Sequence, residues 1–171
     1  STVLALPAVF MLTAPATRAD QLQNGRFRWD SDGDGVADHW QKDSSTGLQG
    51  DYAVVRQDGR QCQMLTLHTP LQNMQIFRVS QVNIPARAEG HFLLTGEIKA
   101  ETAGAVFFYE RLKDGKYLTH PVKFDVKNRD WQKVSLLVKT SPLCRSFKLS
   151  LIVHGIDKPI WFSNFAVIDV D

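Results

Sequence analysis

The sequence predicts an all-β protein, an antiparallel two-sheet β-sandwich with jelly-roll topology. Three observations carry that expectation. Apolar and polar residues alternate with a period of two from about residue 22 onward, and nothing after residue 20 sustains the 3.6-residue stripe of a helix. Turn-forming pairs interrupt the alternation at short intervals. The 18 acidic residues divide into fourteen Asp and only four Glu (Glu89, Glu97, Glu101, Glu110). Asp suits turns, whereas Glu suits the helix surfaces that this chain lacks.

In chain order, strand-like runs occupy 52–57, 61–69, 74–84, 91–100, 104–112, 116–126, 131–140, 145–154 and 159–169. In 91–100, Phe92, Leu94, Ile98 and Ala100 fall on one side, with Thr95, Glu97 and Lys99 on the other. In 131–140, Val134, Leu136 and Val138 turn inward. In 145–154, Phe147, Leu149, Leu151 and Val153 do so. Asp58-Gly59, Glu89-Gly90, Asp114-Gly115, Asn128-Arg129-Asp130 and Ser141-Pro142 supply the turns, and Asp114-Gly115 reads as a tight hairpin. No repeat, linker or low-complexity stretch divides residues 20–171, so they read as a single β-sandwich domain.

Composition narrows the function. A formal charge of +2, with no long basic run, speaks against nucleic-acid binding. Residues 3–16 (VLALPAVFMLTAPA) are uncharged and apolar. As a helix they would cover roughly 21 Å, short of the roughly 30 Å hydrocarbon core. The stretch matches a secretory h-region, with Ala14-Pro15-Ala16 or Thr17-Arg18-Ala19 before a cleavage site, although no basic n-region precedes it. Residues 1–19 are thus a signal-peptide-like segment or an apolar arm, and the protein is expected to be secreted or periplasmic. Membrane contact is expected only if residues 1–19 are retained. Cys62 and Cys144 could pair in an oxidising compartment, for about 4–5 kcal/mol in the chain-entropy model, or stand as two separately buried thiols.

The sharpest motif is DSDGDGVAD, residues 30–38. Asp30, Asp32, Asp34 and Asp38 stand at positions 1, 3, 5 and 9 of a DxDxDGxxD pattern, and alternate Asp residues in a tight loop converge their carboxylates on one point. Gly35 permits the turn that brings in the Val36 carbonyl, and Gly33 frees the backbone beside it. Hard oxygen donors in a tight loop favour Ca2+, and without a cation four such carboxylates repel one another. The loop is similar to those of EF-hands and thrombospondin repeats, but Gln41 stands where an EF-hand has its bidentate Glu.

Catalytic signatures are missing from the sequence. There is no glycine-rich phosphate loop, HExxH, CxxC or GxSxG, and the five His show no metal-ligand spacing. Glu97 and Glu110 are the one conceivable glycosidase pair.

The stretch LQNGRFRWDSDGDGVADHW, with Asn24, Gly25, Phe27, Asp38 and Trp40, resembles the opening of calcium-containing jelly-roll carbohydrate-binding modules. Trp131-Gln-Lys-Val134 and Ile160-Trp-Phe162 extend the resemblance over most of residues 22–169. It implies a non-catalytic module that binds polysaccharide or oligosaccharide, with Trp40 and Trp131 in structural positions. Two departures remove carboxylates from the calcium position of that family: Arg28 stands for its Glu, and Ser163 and Asn164 for an Asp pair. The Asp30–Asp38 loop is then the metal site to expect. Sugar-facing candidates are Tyr109 and Arg111, which alternation places opposite Phe108, together with Glu97, Tyr117 and Trp161. The alternative function is a structural or protein-interaction subunit of a cell-envelope complex.

Overall fold

In a computed structural model the structure describes residues 18–171. The apolar stretch 3–16, and with it the signal-peptide reading, lies outside the described residues. Among the described residues ten strands follow one another: β1 Gln41–Lys42, β2 Gly50–Gln57, β3 Arg60–Leu67, β4 Phe77–Pro85 and β5 His91–Ala100, then β6 Gly104–Leu112, β7 Tyr117–Val122, β8 Gln132–Lys139, β9 Cys144–Val153 and β10 Pro159–Asp169. Sheet I has the order β1-β4-β9-β6-β7 and sheet II the order β2-β3-β10-β5-β8, every pair antiparallel. Neighbours in a sheet are mostly distant in sequence, because the chain alternates between layers, as a jelly roll does.

Period-two alternation builds the core between the sheets. Phe92, Leu94, Ile98 and Ala100 of β5 are buried, as are Phe147, Leu149, Leu151 and Val153 of β9. Phe147 bridges the layers, edge-on to Phe92 at 4.8 Å and tilted against Phe108 at 4.4 Å. Such aromatic pairs add about 0.5–1.5 kcal/mol beyond the area they bury.

The nine expected strands are present, with edges that differ for local reasons. Residues 74–76 precede β4, and Met74 sits at φ 59 with its side chain in solvent. β7 stops at Val122; beyond it, Asp125 turns the chain and exchanges backbone hydrogen bonds with the Gln132 amide. The two-residue β1 carries too little pattern to be read from sequence. The tightest hairpin is Asp58-Gly59, not Asp114-Gly115. Gln57 pairs with Arg60 across φ values of 50 and 77, the signature of a type I′ turn. At Asp114-Gly115 the loop is wider, closed by Leu112 N–H donating to Lys116 O at 2.8 Å.

Cys62 lies in β3 of sheet II and Cys144 in β9 of sheet I, both buried and both free. Each has its own surroundings, Cys62 near Ser163 and Cys144 near Glu110, and burial pushes both thiols up to about 11. The structure thus has two separate thiols and no disulfide.

Candidate functional site

The segment before β1 is held by the residues that carry the family resemblance. Asn24, at φ 48, donates through Nδ2 to the carbonyls of Trp29 (2.9 Å) and Asp38 (3.1 Å) and accepts from Arg28 N–H (2.8 Å). One side chain therefore ties both ends of the aspartate loop. At Gly25 a Cβ would meet the Phe165 carbonyl oxygen at 2.2 Å, so only glycine fits against β10. Phe27 is fully buried and packs on Trp40 at 5.2 Å.

Within the loop, ligand-type oxygens of Asp30, Asp32 and Asp38 lie within 4.8 Å of one another. This cluster could hold a metal ion. Asp30 Oδ2 accepts the Gly35 N–H at 3.0 Å, yet Asp30 Oδ1 is buried with no hydrogen-bond partner. A buried carboxylate oxygen without a partner is costly unless a cation or proton satisfies it. Hydrogen bonds from the Ser31 hydroxyl and N–H hold the Asp38 carboxyl below its ordinary range, keeping it ionised. Asp34 lies outside this cluster. Its Oδ1 accepts the Val36 N–H at 2.8 Å, and its Oδ2 lies 3.8 Å from Lys42 Nζ. The loop sits on sheet II through buried Gln63, which donates to Gly35 O and accepts from Ala37 N–H, both at 2.9 Å. Gly35 is required there, because a Cβ would lie 2.1 Å from the Tyr52 carbonyl oxygen.

The expected sugar residues divide between the two outer faces. Tyr109, Arg111 and Tyr117 come together on sheet I. Tyr109 stands across from Lys148 and Thr119, and Arg111 across from Ser146 and Tyr117. The Tyr109 and Tyr117 rings meet edge to face at 5.9 Å, and Phe107 continues the row at 6.0 Å from Tyr109. Asp43 lies on the same face, where its Oδ2 takes Arg78 Nε at 2.9 Å, Lys148 Nζ at 2.8 Å and the Ser80 hydroxyl at 3.0 Å. Burial raises the Asp43 carboxyl, but the Lys148 bond and the two cations outweigh it and hold the group below its usual range.

Glu97 and Trp161 are on sheet II instead. Trp161 is only 7% exposed, with Lys99 Nζ 5.7 Å over its ring, so it is no platform for sugar. Glu97 is occupied by Arg60 Nε at 3.0 Å. The Arg60 guanidinium in turn covers Trp131, 4.6 Å from its ring, and Trp131 Nε1 donates to Asp58 at 2.9 Å. Trp131 is therefore a half-buried member of a surface network, while Trp40 is in the core as expected. Glu97 stands outside sheet II, whereas Glu110 points inside sheet I and binds His120 and the Ser141 N–H, both at 2.7 Å. They form no catalytic pair.

The sequence reading missed Phe107, Arg78, Lys148 and Asp43. Alternation from Tyr109 would have found Phe107; the others needed the pairing of β4 and β9 with β6. It also missed Trp29, 60% exposed beside the aspartate loop.

No protein-family model matches the chain, and no curated protein does. Solved structures do. A CBM4 carbohydrate-binding module aligns with TM-score 0.62 at 17% identity, over 86% of this chain and 99% of that one. The CBM22-1 xylan-binding domain from Paenibacillus barcinonensis Xyn10C aligns at 0.56 and 15%, over 81% and 90%. The fold is that of the jelly-roll carbohydrate-binding modules. The enzymatically active domain of tailspike protein 4 of bacteriophage CBA120 also aligns, at 0.63 and 12%, over 88% of this chain but 21% of that one. This chain thus spans about a fifth of that domain.

Proposed function

We propose that this carbohydrate-binding-module-like domain binds a polysaccharide or oligosaccharide without catalysis, on the outer face of sheet I. The observation that carries the reading is the row Phe107–Tyr109–Tyr117 set beside Arg78, Lys148, Ser80 and Ser150. Aromatic rings offer flat apolar faces to pyranose C–H groups, and adjacent polar groups fix the ring's orientation. Tyr117, 48% exposed, is the most open ring of the row. Neighbours in fold that are named for xylan binding or bound xylohexaose support the reading. Secretion or a periplasmic location accords with it, and among the described residues no helix is long and apolar enough to cross a membrane. The comparisons bring no support to the envelope-complex alternative.

The same reading gives the aspartate loop a structural Ca2+. Asp30, Asp32 and Asp38 would hold it, with the Val36 carbonyl as the further ligand suggested by spacing. The unpartnered Asp30 oxygen supports this. The ion would neutralise the three carboxylates and fix the loop onto sheet II.

Titration of calcium-replete protein against a panel of polysaccharides tests the sugar site. Tyr109→Ala should cost at least about tenfold in affinity for the glycan bound, as loss of a central aromatic contact does. A loss in Trp29→Ala with Tyr109→Ala unaffected would move the site to the aspartate loop. Absence of binding to every polysaccharide would overturn the reading.

A further inference from the structure

We propose that the sugar recognised on sheet I is anionic, its oxyanion held by Arg111 and Lys148. This rests on the sheet I reading above and names its ligand class. Arg111, Lys148, Tyr117, Asn83 and Ser146 line a cavity of ≈ 210 Å³ whose lining includes no acidic residue. Its two cations are brought together by register. Arg111 pairs with Ser146 on β9, and Lys148, two residues along the same strand, faces the same side.

Charge bookkeeping on this face leaves a surplus. Arg78 and Lys148 share the single Asp43 carboxylate, whereas Arg111 has no ion-pair partner among the described residues. Three cations against one acid on a face of aromatic rings suit an anion better than a neutral chain. Arg and Lys donate hydrogen bonds and accept none, while each sugar hydroxyl both donates and accepts. A carboxylate or sulfate is an acceptor only, and the Arg fork matches its geometry with two parallel N–H donors. Tyr117 then lies against the pyranose ring, and Asn83 and Ser146 serve the remaining hydroxyls. Asn83 is fixed at φ 55 in the bulge between Gln81 and Ile84, which sets it beside the two cations.

On the opposite face Arg60 is paired with Glu97 and Lys99 with Asp58, while Lys133 of β8 stands across from Glu97. What sets sheet I apart is that its unpaired cation lines a cavity without a carboxylate, whereas the sheet II cavities at Lys133 and at Arg60 both include Glu97.

The test compares polygalacturonate, dextran sulfate and neutral xylan as ligands of the full chain. Binding of polygalacturonate identifies a carboxylate as the oxyanion, and binding of dextran sulfate alone identifies a sulfate. Either should weaken with salt and fall about tenfold in Arg111→Gln. Arg111→Lys, which keeps the charge and loses the fork, should recover part of the loss. Arg28→Gln, an exposed cation elsewhere, should change little; an equal fall there would mean general attraction and overturn the proposal. Xylan bound as tightly as polygalacturonate, with Arg111→Gln unaffected, overturns it while leaving sugar binding on sheet I intact. Binding of none of the three, while another neutral polysaccharide is bound, overturns it too. Failure to bind any glycan removes the sugar-binding reading as well.

Discussion

The two outer faces of the sandwich carry similar residues and use them in opposite ways. On sheet II, Trp131 lies under Arg60 and Trp161 under Lys99. Those cations are in turn bound by Glu97 and Asp58. Each of these two rings is capped by a charge, and each capping charge is paired with a carboxylate. On sheet I, Phe107, Tyr109 and Tyr117 touch mainly one another, one carboxylate serves two cations, and Arg111 is left over. Lys148 approaches the Tyr109 ring at 5.9 Å and shares Asp43 with Arg78. Whether an aromatic side chain can serve a ligand depends on what already lies over it, more than on its presence in a strand.

The largest effect expected from breaking this contrast is on stability. Trp161→Ala should cost about 3–5 kcal/mol, the usual range for a buried aromatic, and leave glycan affinity of the folded protein unchanged. Denaturant titration beside glycan titration separates the two quantities. A loss of affinity at full stability would show that Trp161 reaches the ligand despite its cap.

Calcium removal comes next. A metal bound only to the native state stabilises by roughly 2.7 kcal/mol at a hundredfold excess over its dissociation constant. Chelator should therefore lower the melting temperature without weakening sugar binding by the molecules that remain folded. A melting temperature unmoved by chelator, with no metal by elemental analysis, would remove the ion from the account.

Arg60→Ala uncovers Trp131 and frees Glu97. It should cost about 1 kcal/mol, because both the cation–π contact and the part-exposed ion pair are modest. Glycan affinity gained on this variant would mean that the Arg60 cap alone separates the two faces.

The smallest effect is a dependence on pH at the sheet II side. His68 lies between Asp51 (2.8 Å) and Asp157 (2.9 Å), whose hydrogen bonds raise its pKa above the ordinary 6.5. A raised folded value means that the protonated form is favoured by folding. The contribution is fully present below the unfolded value of about 6.5 and fades as pH rises through the folded value. Stability measured upward from pH 6 should decline slightly, and His68→Gln should flatten that decline.

Much of the architecture was legible because strand periodicity is a local property. Alternation in 91–100 and 145–154 assigned the inward residues of β5 and β9, and Asp-Gly pairs marked the hairpins. The aspartate loop was legible for the same reason, since its carboxylates lie within nine consecutive residues. Asp34 lies outside the cluster of Asp30, Asp32 and Asp38, and spacing does not reveal that its Oδ1 takes the Val36 N–H. Trp161 and Trp131 show the limit more sharply. Strand alternation identifies the side of a sheet on which a ring stands, and the cations that cover these rings come from elsewhere in the chain.

The amino-acid order alone thus determined the β-sandwich, its turns and a nine-residue acidic loop, because each is written in neighbouring residues. The tertiary structure decided which aromatic rings are covered. Strand order sets Lys148 beside Tyr109 and Arg60 over Trp131, and those juxtapositions depend on pairing between distant segments. A period of two fixes the direction of a side chain; only the register of the sheet fixes what it meets.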